Sequence, residues 1–111
     1  MRFHIALSAS DIEAAIEDYR WRLGTDPVVV VRGEYALFRT RELNVSLRRD
    51  SAVPSGQLRH LGWEDPSADA FTSERDALGI VWERFNAEGQ AAEIEAVWPG
   101  VDCRTLREGG G

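Results

Sequence analysis

The two histidines of this chain are the residues whose type and placement first point to chemistry. His4 lies in RFHIALSAS and His60 in RHLGWED, and each stands near the start of a short apolar, strand-like run. A single histidine on a strand is usually a residue of the core or of a sheet edge. Because both histidines have the same placement, a second interpretation arises, in which they are two halves of one site.

The segment that separates the two histidines predicts the order strand, helix, strand, strand, strand. The sequence predicts a capping box of Ser10 and Glu13 at the start of the helix, and Gly24 is placed to end it. Apolar residues recur at helical spacing between these ends. The helix is predicted at 11–23, and the strands at 2–9, 26–32, 33–40 and 42–49.

The rest of the chain begins with a linker-like segment, DSAVPSGQ, at 50–57. Strand patterning restarts at 58–64, and 71–85 predicts two short strands around a turn at Asp76–Gly79. A C-terminal helix is predicted at 87–98 with Asn86 as its N-cap. The final segment, 101–111, is polar and ends in three glycines, which predicts a flexible tail.

Length and composition restrict the class of protein. A chain of 111 residues is expected to be one domain, 1–111. Its formal net charge of −6 disfavours nucleic acid as a partner. It has no apolar run of bilayer length, no segment typical of a signal peptide and a single cysteine, Cys103, so a cytoplasmic location without membrane association is expected.

Three stretches carry a resemblance to a known family. FHIALSASDIEAAIEDYRWRLG resembles the opening module of the glyoxalase/bleomycin-resistance/extradiol-dioxygenase superfamily, also called the vicinal oxygen chelate superfamily. RHLGWED resembles the start of the second module, and ERDALGIVWERF its closing hairpin. The resemblance implies an α+β fold of paired βαβββ modules, 1–49 and 58–85. The second module is abbreviated, because too few residues separate GWED from FTSERD for its helix and one strand.

The same resemblance implies a metal site. The first-strand ligands fall on His4 and His60, and the closing-strand carboxylate falls on Glu83. Asn44 and Ser46 stand where members with four protein ligands carry a glutamate. The remaining ligand set is a facial triad with open positions, suited to a substrate that chelates through neighbouring oxygens. Iron, manganese, nickel and zinc all fit these donors; without a metal, no cofactor is expected.

Further site residues are predicted around the triad. Both histidines would be ligands, so proton transfer would depend on Glu64 or Tyr35. Arginines at strand ends either clamp an anionic substrate or are solvated; these are Arg39, Arg48 and Arg49. Tryptophans either fill the core or line the site. The predicted substrate-binding residues are Asn44, Ser46, Arg39 and Trp82.

Three functions remain open at this point. The first is a metal-dependent enzyme, a lyase, an isomerase or a dioxygenase-like enzyme, that acts on a small oxygenated metabolite between the modules. Oxygenase chemistry is disfavoured because no third histidine is present. The second is a metal-free small-molecule binding protein of the bleomycin-resistance type. The third is a degenerate member with a structural role. A homodimer is expected, because an abbreviated module exposes sheet edges.

Overall fold

A seven-stranded mixed β-sheet organises the chain. The computed structural model describes residues 1–108 and gives a small, compact α+β fold. Three helices accompany the sheet over these residues. The strands are β1 Arg2–Ser8, β2 Val29–Val31, β3 Tyr35–Arg39, β4 Leu43–Arg48, β5 Leu58–Glu64, β6 Thr72–Arg75 and β7 Val81–Phe85; the helices are α1 Ile12–Leu23, α2 Ala87–Val97 and α3 Arg104–Glu108.

The order of the strands places β1 and β5 at the centre of the sheet. The order is β2-β3-β4-β1-β5-β7-β6. β1 pairs with β4 in parallel and with β5 in antiparallel orientation, and β5 pairs with β7 in parallel. Side chains along a strand alternate between the two faces of a sheet, so this register decides which residues share a face.

Helix α1 begins and ends where local chemistry favours it. Its N-cap is Asp11, whose carboxylate accepts a hydrogen bond from the Ala14 backbone N–H at 3.1 Å. The predicted capping box is therefore wrong: the Glu13 carboxylate instead accepts from the Gly33 backbone N–H at 2.8 Å. Gly24 ends the helix in the left-handed conformation, with φ of 69°, as predicted.

Apolar residues of β2, β3 and β4 form two clusters with apolar residues of the helices. One packs beneath α1 and includes Ile12 and Phe38, which are fully buried. The other packs beneath α2 and α3 and includes Leu37 and Leu106. Leu37 and Phe38 are neighbours on β3, so the alternation of one strand supplies a core residue to each cluster.

The C-terminal segment differs from its prediction. Residues Arg104–Glu108 form α3, and Leu106 is fully buried together with Cys103. The predicted flexible tail is therefore wrong over these residues, because two apolar side chains reach the cluster beneath α2. The last three glycines, 109–111, lie outside the described residues. Over residues 1–108, none of the helices has the length and apolar character needed to cross a bilayer.

Candidate functional site

Three adjacent strands bring the predicted ligands to one face of the sheet. On β1 and β5, His4 lies opposite Gly62, while Ala6 lies opposite His60. Gly62 in turn lies opposite Glu83 on β7. A Cβ atom at position 62 would overlap the backbone carbonyl of Glu83. The glycine therefore allows the close approach of β5 and β7 that brings Glu83 to the histidines.

The donor atoms of the three side chains converge. The Nε2 atoms of His4 and His60 are 2.9 Å apart, and His60 Nε2 lies 3.0 Å from Glu83 Oε1. One donor atom from each of the three residues lies within 4.8 Å of the others. Ligands at right angles around one ion, each bound at about 2.1 Å, are about 3.0 Å apart. The geometry therefore satisfies the main requirement for shared ligation of a metal.

The orientation of His4 is set from behind by Asn44. His4 Nδ1 lies 2.8 Å from Asn44 Oδ1 and 3.2 Å from the Asn44 backbone carbonyl, both of which are acceptors. The proton therefore sits on Nδ1, and the Nε2 lone pair faces His60. Burial and the neighbouring charge of His60 lower the pKa of His4 below its ordinary value, although hydrogen bonds to Asn44 oppose this. His4 is thus held neutral at pH 7, as a metal ligand must be.

The orientation of the Asn44 amide is fixed by two other buried side chains. Its Nδ2 donates to Glu64 Oε1 at 2.8 Å and to Gln90 Oε1 at 2.8 Å. Since Nδ2 faces two acceptors, Oδ1 is the atom that faces His4. A chain of hydrogen bonds therefore runs from α2, which carries Gln90, through β4 to the histidine on β1.

Glu64 lies in a closed ion-pair network rather than in an open cleft. Its carboxylate accepts from Arg39 at 2.9 and 2.7 Å and from Arg2 at 2.9 Å, and only 1% of its side chain is exposed. Burial raises the pKa of Glu64, but the hydrogen bonds from Arg39 and Asn44 and the arginine charges outweigh it and lower the pKa. Glu64 is thus held as a carboxylate with its oxygens already engaged, which leaves little capacity for proton transfer to a substrate.

A cavity of about 230 Å³ opens beside the histidines. Of the residues predicted from the sequence, six line it: His4, His60, Glu83, Tyr35, Ser46 and Arg48. The others lie elsewhere. Asn44 lies behind His4, Arg39 binds Glu64, and Trp82 packs against Phe3 with its indole N–H donating to Asp76.

Tyr35 keeps its proton in this cavity. Burial raises the pKa of its phenol far above the ordinary value, although a hydrogen bond with Ser46 opposes this. The hydroxyl group can therefore donate a hydrogen bond to a ligand, while the phenolate form is suppressed at neutral pH. Of the two candidates for proton transfer, Glu64 and Tyr35, Tyr35 is therefore suited to orient a ligand as a hydrogen-bond donor and is poorly suited to act as a base.

Three polar cavity residues were not predicted from the sequence, Arg59, Gln90 and Glu93. Arg59 precedes His60, and strict alternation would place neighbours on opposite faces. The β1–β5 register shifts here, since Ala6 pairs with His60 and Leu7 with Leu58. This β-bulge lets both Arg59 and His60 line the cavity. Gln90 carries no comparable signal, because its partner Asn44 lies 46 positions away in the chain.

Comparison with known proteins gives little beyond the fold. No family model matches the chain, and no curated protein matches it. A solved structure described as "The crystal structure of NAD-dependent benzaldehyde dehydrogenase from Legionella pneumophila" is similar, with a TM-score of 0.52 and 13% sequence identity. The similarity covers 75% of this chain and 96% of that chain. At this identity the likeness concerns the fold alone.

Proposed function

We propose that this chain is an abbreviated member of the vicinal oxygen chelate superfamily whose His4, His60 and Glu83 bind a divalent metal ion for chemistry on a small oxygenated metabolite. The convergence of these three donors beside a cavity is the observation that carries the proposal. The donors come from three separate strands, so their meeting depends on the sheet order rather than on local sequence.

The arrangement of the strands supports the proposed family. The first half runs β1-α1-β2-β3-β4, and β1 is parallel to β4, the last strand of that half. The second half runs β5-β6-β7, and β5 is likewise parallel to β7. The halves meet through antiparallel β1 and β5. This is the relation expected of two modules of which the second has lost a helix and a strand.

The donor set fits a divalent first-row transition metal. Two imidazole nitrogens and one carboxylate oxygen form a facial triad that leaves positions open for a substrate. Neither Asn44 nor Ser46, the two candidates for the position where four-ligand members carry a glutamate, is a carboxylate, and Asn44 hydrogen-bonds His4 instead, so three protein ligands are expected. Iron, manganese, nickel and zinc remain the candidates. A bound ion would act as a Lewis acid on the substrate oxygens.

The residues of the chain itself prepare the site for this role. Asn44 holds the Nε2 lone pair of His4 toward His60, and Glu83 Oε1 lies 3.0 Å from His60 Nε2. Tyr35 offers a hydroxyl donor that can orient a substrate oxygen, and Phe71 and Phe85 stack at 5.3 Å along the wall. These groups favour binding and proton-transfer chemistry at a chelated substrate, such as that of a lyase or an isomerase.

Metal binding by the untagged protein tests the proposal. Titration calorimetry with Mn²⁺ and Zn²⁺ is expected to give one equivalent bound per chain. The variants His4→Ala, His60→Ala and Glu83→Gln are each expected to lose that binding. Glu74→Gln, which changes an exposed carboxylate on β6, is the matched control and is expected to bind normally. Absence of binding, or equal binding by His60→Ala and the control, would refute the metal site.

Aromatic side chains around the cavity favour one alternative, a metal-free binding protein. Tyr35 and Trp98 lie with ring centroids 5.0 Å apart beside the stacked phenylalanines. Such walls suit a planar ligand. Quenching of tryptophan fluorescence by catechol in excess EDTA, undiminished in His60→Ala, would favour this alternative. If the protein binds neither metal nor catechol, the hypothesis of a structural role is favoured.

We also propose a homodimer, on the basis of the sheet edges. β2 and β6 are the two edge strands, and all four residues of β6 are exposed. Open edges favour pairing with another chain unless they are covered. Sedimentation velocity is expected to give a dimer at micromolar concentration, and a monomer at all accessible concentrations would contradict it.

A further inference from the structure

Two arginines share the cavity with the proposed metal ligands. Arg48 ends β4 and lies on the same face as Asn44 and Ser46, by the alternation of the strand. Arg59 comes from the β-bulge next to His60. Both arginines line the cavity, so two guanidinium groups and the three donor residues face one space.

Unlike two other arginines at strand ends, these two keep their charges near the cavity. Arg39 is buried against Glu64. Arg49 is exposed, and its Nη1 atom lies 3.7 Å from Glu34 Oε1. The Arg48 guanidinium lies 5.1 Å from the centre of the Trp98 ring, a cation–π contact that holds the charge without neutralising it. Such a contact leaves the donor edge of the guanidinium available to another partner.

The guanidinium of Arg59 has no carboxylate at hydrogen-bond distance among the described residues. Its nearest carboxylate is Asp50, at 3.8 Å from Nε, which exceeds hydrogen-bond distance. Arg59 and Arg48 line the same cavity, so their two positive charges share one space. Two like charges that oppose each other in a half-buried space are stabilised when an anion binds both.

We infer that Arg48 and Arg59 form an anion subsite that binds the carboxylate or phosphate group of a compact substrate. This inference rests on the proposed metal function. With a metal bound by His4, His60 and Glu83, the neutral vicinal oxygens of the substrate would face these three residues. The substrate class is therefore a small acid that also carries two neighbouring oxygens able to chelate the metal.

The size of the cavity agrees with this class. Sites for drug-sized ligands occupy roughly 300–1,000 Å³, whereas this cavity is about 230 Å³. A compact metabolite fits better than a nucleotide or a peptide. Glu83 and Glu93 also line the cavity, so the attraction for an anion is local to Arg48 and Arg59 and is not a property of the whole cavity.

Matched probes with and without the acid group test the subsite. Catechol and protocatechuate differ by a carboxylate, and dihydroxyacetone and its phosphate differ by a phosphate. In the Mn²⁺-loaded protein, the acidic member of at least one pair is expected to bind tenfold or more tightly than its neutral partner. Whichever pair gives the larger ratio identifies carboxylate or phosphate as the group that is bound.

Charge-neutral variants assign that preference to the two arginines. Arg48→Gln and Arg59→Gln are each expected to reduce the ratio at least fivefold, while metal binding is retained. Arg49→Gln makes the same change of net charge at the neighbouring exposed position and is expected to keep the ratio. Equal binding of acidic and neutral probes by the unmodified protein, or equal losses in Arg49→Gln and Arg48→Gln, would overturn the subsite.

A metal-independent measurement separates this inference from the proposed function. Acetate and inorganic phosphate are titrated into the protein in EDTA, and the NMR signals of the arginine Nε–H groups and of the tryptophan indoles are followed. Saturable shifts of Arg48, Arg59 and Trp98 are expected with at least one anion. If they occur in a protein that binds no metal, the subsite stands and the metal proposal fails. If metal binds but these signals do not shift with either anion, the subsite fails and the metal proposal stands.

Discussion

Two glutamates on adjacent strands of the sheet have contrasting charged partners. Glu64 on β5 is bound by Arg39, Arg2 and Asn44 and is almost fully buried. Glu83 on β7 faces His60 at 3.0 Å, with about a fifth of its side chain exposed beside the cavity. Glu64 with Arg39 and Arg2 forms a closed cluster, and Glu83 with His4 and His60 forms an open cluster. The Asn44 amide contacts both Glu64 and His4, so Asn44 connects the two clusters.

The difference separates a carboxylate that the protein neutralises itself from one that it leaves available. Buried charges are tolerated when fixed partners surround them, as around Glu64. Glu83 instead lies 3.0 Å from the His60 imidazole, without the arginine hydrogen bonds that Glu64 receives, so its carboxylate keeps capacity to bind a cation. The closed cluster therefore serves the fold, and the open cluster is the candidate for chemistry.

The largest contrast is expected in stability. Glu64→Gln leaves Arg39 with a buried, uncompensated charge and is expected to lower the free energy of unfolding by about 3–5 kcal/mol. Glu83→Gln changes a half-buried group and is expected to cost less than about 1 kcal/mol. Urea denaturation of both variants measures the two values. Similar losses in the two variants would show that the two clusters do not differ in this way.

Gly62→Ala is expected to damage the open cluster through the backbone. The added Cβ would overlap the Glu83 carbonyl, so β5 and β7 must separate. Overpacking of this kind costs about 1–3 kcal/mol, and the shift moves Glu83 away from His60. Urea denaturation and metal titration should therefore both report a loss. Gly56→Ala, a change at a position with open space but a φ of 84°, is the control that costs stability without loss of metal affinity.

Asn44→Ala tests whether the closed cluster positions the open one. In Asn44→Ala, His4 Nδ1 loses the closer of its two acceptors and keeps only the backbone carbonyl, so metal affinity is expected to fall by about 10–100-fold. Gln90→Leu removes one partner of Asn44 but keeps the hydrogen bond to His4. Titration calorimetry should show a smaller loss of metal affinity for Gln90→Leu than for Asn44→Ala. If the two variants lose equal affinity, the direct contact to His4 is not the positioning element.

Acid should reduce the contrast between the glutamates. The folded-state pKa of Glu64 lies below its unfolded value of about 4.3. Its ionised form therefore stabilises the fold above that pH, and the contribution is lost as the pH falls through the folded pKa. The difference in unfolding free energy between the unmodified protein and Glu64→Gln should shrink between pH 6 and pH 3. A constant difference would mean that the carboxylate charge is not the stabilising feature.

The local elements were largely readable from the sequence. The strand Leu58–Glu64 was predicted with its observed bounds, and the helix predicted at 11–23 forms over Ile12–Leu23. The hairpin around Asp76–Gly79 and the N-cap Asn86 are confirmed as well. These features depend on periodicity, caps and turns within a few residues, so neighbouring residues suffice to predict them.

The candidate site was readable only in part. His4, His60 and Glu83 were expected to meet because of the resemblance to a family, and in the structure their donor atoms converge. Glu64 was a candidate for proton transfer, yet it is bound to Arg39, which lies 25 positions away. Such partners are chosen by strand order, which the residue pattern around Glu64 does not encode.

The sequence by itself determined the helix and strand pattern, the acidic surface and the few residue types able to bind a metal. Only the tertiary structure decided which glutamate is neutralised by arginine and which faces the histidines. It also decided that a bulge turns Arg59 into the cavity beside His60. The physical reason is that charge compensation depends on distances between strands, and those distances are set by pairing across the whole sheet.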